Sequence, residues 1–87
     1  MKKNMHEAIC KELNELYLKK NADYGDSFSE TYEKLGIISA VTRITDKLNR
    51  LTNLCTNDAQ VDESIEDTLI DLANYAIMTV MEIRFNK

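Results

Sequence analysis

"DESIEDTLIDLANYAIMTVMEI", residues 62–83, starts as an acidic amphipathic segment and ends apolar on nearly every side. At about 100° per residue, Ile65, Leu69, Leu72, Ala76, Val80 and Ile83 share one helical face, the expected core of the protomer. Glu63, Asp67, Asp71 and Asn74 share the opposite face; Met78 continues it, flanked by Ile70, Ile77 and Met81. A helix that is apolar all round is buried all round. A single chain of 87 residues hardly covers both sides, so other copies are expected against the Met-lined side as a homo-oligomer.

Working outward, "IISAVTRITDKLNRLTNLC", residues 37–55, repeats apolar side chains at Ile37, Val41, Ile44, Leu48 and Leu51, the stripe of a second long helix. Near the start of the chain, Met5, Ile9, Leu13, Leu16 and Tyr17 set the same period and predict a helix over about residues 3–20. "NADYGDS", residues 21–27, is read as the break after it. Ser27 and Glu30 are spaced as a capping box for a short helix from Phe28 to Leu35, which Gly36 would end. Ser64 is the expected cap of the last helix. With no proline and two glycines, the chain offers few turns for β-structure. The expected fold is all-α: a small bundle of two or three long helices plus one short helix, a single domain over residues 1–87, completed by oligomerisation.

The formal charge of −4 argues against direct DNA or RNA binding over the whole surface. Local chemistry differs from that average. Arg43, Lys47 and Arg50 stand at i, i+4 and i+7, a basic ridge with Asp46 embedded in it. Arginine grips phosphate oxygens bidentately and lysine adds a mobile point charge; pairing with Asp67 and Asp71 on the next helix is the competing use of those cations. Acidic side chains at i, i+4, such as Asp67 and Asp71, suit a Mg²⁺ ion, although acids in a first helical turn also serve the helix dipole. In the loop, Tyr24 or Phe28 is placed to stack on a base, beside the flexible Gly25; closing the core under the turn is the other use of Tyr24. Cys10 and Cys55 lie in separate segments and read as free thiols; His6 reads as a solvated side chain. No membrane-spanning run or signal peptide is evident, and a cytoplasmic protein without membrane partners is expected.

Taken together, "NADYGDSF", "RITDKLNRL" and "DESIEDTLIDLANYAI" resemble the nucleotide modification associated domain 1 family, found largely in phages and prophages, over about residues 15–83. That family looks related to the MazG-like all-α nucleoside triphosphate pyrophosphohydrolases, which implies an oligomeric helical nucleotide-binding domain, in the host cytoplasm if phage-encoded. Enzymes of that type hold Mg²⁺ with an E-x-x-E pair on one helix and an E-x-x-D pair on the next. Here Asp71 matches the final Asp, but its i−3 partner is Thr68, with Asp67 one residue away. On the preceding helix Asp46 is the only acid, Arg43 and Asn49 standing where a second is wanted.

Three functions follow as expectations. In the first, the protein captures a nucleotide without cleaving it, and thereby sequesters a nucleotide signal of host defence. Arg43, Lys47 and Arg50 would take phosphates, and Tyr24 or Phe28 the base. Asp67, Asp71 and Asn74 would take the sugar or base edge, with Gly25 and Tyr75 completing the ligand-binding set. In the second, a Mg²⁺-dependent pyrophosphohydrolase uses Asp46, Asp67 and Asp71 as metal ligands, with Asp46, Glu63 and Asp71 as catalytic candidates. The third is a helical protein-interaction module.

Overall fold

The computed structural model describes residues 1–24, 26–56 and 62–86, and of Tyr24 and residues 62–64 the backbone alone. Four helices follow one another: α1 Lys2–Tyr24, α2 Ser27–Leu35, α3 Ile37–Thr56 and α4 Asp62–Phe85. The expected all-α class holds, with no strand among the described residues. α3 packs most extensively on α4, α2 lies against both, and α1 is attached chiefly through α4.

Boundaries differ from the sequence reading where side chains rather than backbone propensity decide. α1 does not stop near residue 20 but runs through Asn21, Ala22 and Asp23 to Tyr24. Asn and Asp inside a helix cost only about half a kcal/mol each relative to alanine, and the last turn carries Lys20 and Asn21 into contact with α4's side of the bundle. The capping box at Ser27 does not form. Asp26 is the N-cap, without a side-chain cap bond, and its carbonyl accepts from the Glu30 amide at 3.1 Å. Likewise α4 has begun at Asp62, so Ser64 lies within its first turn instead of preceding it.

Gly36 behaves as expected. Its amide donates to the Tyr32 carbonyl at 2.7 Å, and its φ of 76° and ψ of −166° lie in a region reserved for glycine. The carbonyl of Gly36 then accepts from the Ser39 amide and from Ser39 Oγ, starting α3 without a loop.

The largest departure concerns which faces point inward. On α4 the expected core face is mostly bare: Leu69, Ala76, Val80 and Ile83 are exposed, and only Ile65 and Leu72 are half-buried. The inner face is polar. Thr68, Thr79 and Glu82 are buried, and Asp71, Asn74, Tyr75 and Met78 are half-buried. Among the described residues the side-chain bonds between α4 and the other helices use this polar side. Asn74 Nδ2 donates to the Leu13 carbonyl of α1 at 3.1 Å, and Ser29 Oγ of α2 donates to the Glu82 carboxylate. The α3 stripe is turned in the same way: Ile37, Val41 and Leu48 are exposed, Ile44 and Leu51 half-buried, and Ala40 fully buried. Within the protomer the buried apolar core is only Leu13, Phe28 and Ala40 among the described residues.

An added Cβ at Gly36 would meet nothing within 4 Å, so substitution acts through backbone conformation alone. Gly36→Ala should destabilise the chain by about 1–3 kcal/mol, read as a lower urea midpoint with an unchanged slope.

Candidate functional site

α3 presents its basic ridge to an open groove of about 790 Å³, within the range of small-molecule sites. Arg43, Asp46, Lys47 and Arg50 line it from successive turns, joined by Asn49, Asn53 and Leu54 of α3 and by Tyr75 of α4. Because residues seven apart on a helix are separated by about 10.5 Å of rise, Arg43 and Arg50 mark the two ends of one cationic wall.

A smaller cavity of about 130 Å³ adjoins the groove and shares Arg43 and Tyr75 with it. Phe28 and Tyr75 stack there, with ring centroids 6.0 Å apart and planes 20° from parallel. The Arg43 guanidinium lies 5.5 Å from the Phe28 centroid, a cation–π contact that fixes it between the two cavities. Tyr17, Lys20 and Asn21 of α1 and Asp71 and Asn74 of α4 form the remaining wall.

Asp71 is the electrostatic centre. One oxygen, Oδ1, accepts from Lys20 Nζ at 3.2 Å; the other, Oδ2, accepts from Lys47 Nζ at 3.1 Å. Burial pushes the Asp71 carboxyl up, but the hydrogen bonds and charges of Lys47 and Lys20 outweigh it and hold the group below the ordinary carboxylate range. So the competing pairing foreseen from the sequence is realised for Lys47 only. Among the described residues neither Arg43 nor Arg50 is in an ion pair.

The structure thus gathers Phe28, Arg43, Lys47, Arg50, Asp71, Asn74 and Tyr75 around two adjoining cavities, with Asp46 on the groove wall. It does not bring Asp67 to either cavity; that side chain is exposed. The side chains of Tyr24 and Glu63, and Gly25 as a whole, lie outside the described residues. Asn74 has part of its amide committed to α1, so it anchors a helix as well as facing the cavity. Reading the sequence missed Tyr17, Lys20 and Asn21. Their spacing at i, i+3 and i+4 puts them on one helical face, and that spacing was the signal available.

Among the described residues no three Asp, Glu, His or Cys side chains gather where they could hold a metal ion, and Asp71 gives an oxygen to each of two ammonium groups.

A family model described as nucleotide modification associated domain 1 matches residues 20–83. No curated protein and no solved structure matches the chain. The matched span takes in both walls of the groove and leaves out most of α1.

Sign and window follow from the lowered Asp71 carboxyl. The stability it contributes is full above the unfolded value of about 3.9 and is lost as pH falls through the lower folded value. Asp71→Asn should therefore unfold earlier than wild type at pH 7, by about 1 kcal/mol for a pair with one half-exposed lysine. The gap should close below the ordinary carboxylate range, as measured by urea melts across pH.

Proposed function

The chain belongs to the nucleotide modification associated domain 1 family, and on that premise we propose that it binds a phosphorylated nucleotide in the paired cavities and holds it intact. The observation that carries this reading is a pair of arginines, Arg43 and Arg50, that have no ion-pair partner among the described residues and stand on the wall of a groove large enough for a nucleotide. In a chain of net charge −4, unpaired cations gathered in a concave surface call for an anion from outside. Phosphates lie along Arg43, Lys47 and Arg50, and the nucleoside turns toward the Phe28–Tyr75 pair. Asn21 and Asn74 offer amides to the sugar or base edge.

Holding without cleaving is supported by Asp71. A general base works best with a pKa near the operating pH, whereas this carboxyl is driven the other way by its two lysines. The reading extends to a homo-oligomeric phage-type protein of the host cytoplasm that withdraws a nucleotide signal of host defence. No described helix is long and apolar enough to cross a membrane.

Mass spectrometry of small molecules released on denaturing the purified protein should recover an intact nucleotide. Thermal shift against mono-, tri- and cyclic nucleotides should then find a stabilising ligand, with Arg50→Ala weakening it about tenfold or more and EDTA leaving it in place. Asp71→Asn should keep binding, since it frees two lysines. Pyrophosphate release with Mg²⁺ that Asp71→Asn abolishes would establish the hydrolase instead. A chain stabilised by no nucleotide and carrying none would end both readings.

A further inference from the structure

A third cavity, of about 280 Å³, adjoins the smaller one and shares Tyr17, Phe28 and Met78 with it. It shares no lining residue with the groove of the basic ridge, so the order is groove, smaller cavity, third cavity. Its chemistry is the reverse of the groove's. Among the described residues no lysine, arginine or histidine lines it, and its charged side chains are Asp26 and Glu82. Glu82 is only 8% exposed and has no ion-pair partner among the described residues. Its carboxylate accepts from Ser29 Oγ and, at a long 3.4 Å, from Asn86 Nδ2. An ionised carboxylate has about four acceptor positions, so these donors leave acceptor capacity at the cavity wall. Tying α2 to α4 through Ser29 needs one neutral acceptor, and a buried charge is a costly way to supply it. The surplus suits a ligand that brings N–H groups.

We propose that Glu82 reads the base of the captured nucleotide and that this base is guanine, an inference that rests on the nucleotide reading above. Tyr75 at the groove and Glu82 at the third cavity are separated on α4 by about 10.5 Å of rise. A nucleoside bridges that span between its phosphate and the far edge of its base. With phosphate on the basic ridge, the base reaches past Phe28 and Met78, which line both inner cavities. Asn21 and Asn74 stand on the way, at the sugar. Guanine alone among the common bases presents two adjacent donors on its Watson–Crick edge, N1–H and N2–H, and the two oxygens of a carboxylate accept both. Adenine and cytosine set a ring-nitrogen acceptor against one of those oxygens. Uracil and thymine set a carbonyl on either side of a single N–H. Each of these leaves acceptors facing one another in a buried site, which rejects the ligand.

Calorimetric titration of the full chain with guanosine, inosine, adenosine and uridine nucleotides, each as mono-, tri- and cyclic phosphate, separates base from phosphate. At equal phosphate, guanosine should bind about ten- to a hundredfold tighter than adenosine or uridine. Inosine keeps N1–H and lacks the N2 amine, so it should fall between; this order needs no variant. Glu82→Gln keeps the shape and an acceptor for Ser29 but turns one oxygen into a donor that matches adenine. It should abolish the guanosine preference and raise adenosine relative to guanosine. Equal affinity for the four bases overturns the proposal and leaves nucleotide capture standing. So does a guanosine preference that Glu82→Gln leaves in place, or a variant that weakens all four bases alike, as a mere tie between α2 and α4 would. Binding of no nucleotide overturns both.

Discussion

Asp71 is where three helices meet: its two oxygens are shared between Lys20 of α1 and Lys47 of α3, while its own backbone belongs to α4. A half-buried carboxylate in such a place needs partners, since an unpaired charge withdrawn from water is costly. Meeting that need fixes the register of α3 against α4 and draws the end of α1 over them. It also decides how the remaining charges are distributed. Two of the four cations around the cavities are bound to Asp71, while Arg43, which lies over the Phe28 ring, and Arg50 have no carboxylate partner among the described residues. The local field of the groove is thereby positive in a chain that is acidic overall.

The same constraint accounts for the polar interior of α4. Asn74 reaches the backbone of α1, Glu82 receives the hydroxyl of Ser29, and Asp71 receives two ammonium groups. These contacts are directional, so they specify one arrangement of helices where a greasy interface would tolerate several. Burial alone contributes little to that choice, with Leu13, Phe28 and Ala40 as the buried apolar residues. The aliphatic residues of α3 and α4, freed from the protomer core, are available on the far side.

How far the sequence could be read follows from what periodicity measures. It located every helix, since the apolar spacing of α1, α3 and α4 and the glycine at position 36 are local signals. Periodicity also says that Leu69, Val80 and Ile83 share a face, but it cannot say whether their partner is the same chain or another one. The aliphatic face was assigned to the protomer for that reason, and Thr68, Thr79 and Glu82, which are buried, were not singled out. Of the site, the ridge Arg43, Lys47 and Arg50 was legible because it lies on one helix, and Asp71 with Asn74 because they lie on another. Lys20 was not, for its role depends on a meeting of α1 and α4 across 51 positions of chain. The capping box failed on a finer scale, Asp26 being one residue closer to the turn than Ser27.

What the pocket does chemically turns on how a carboxylate between two lysines behaves. Each ammonium stabilises the ionised form, so Asp71 gives up its proton readily and recovers it reluctantly. Such a group serves well as a fixed negative post that orients lysines, and poorly as an acceptor of a proton from water. On the proposed reading an incoming phosphate would compete with that post for Lys47 while Lys20 keeps its bond to Asp71, so that one lysine could pass from carboxylate to phosphate with the carboxylate still paired. That exchange suits a protein that takes up and holds an anion, and it is the physical reason we favour capture over turnover.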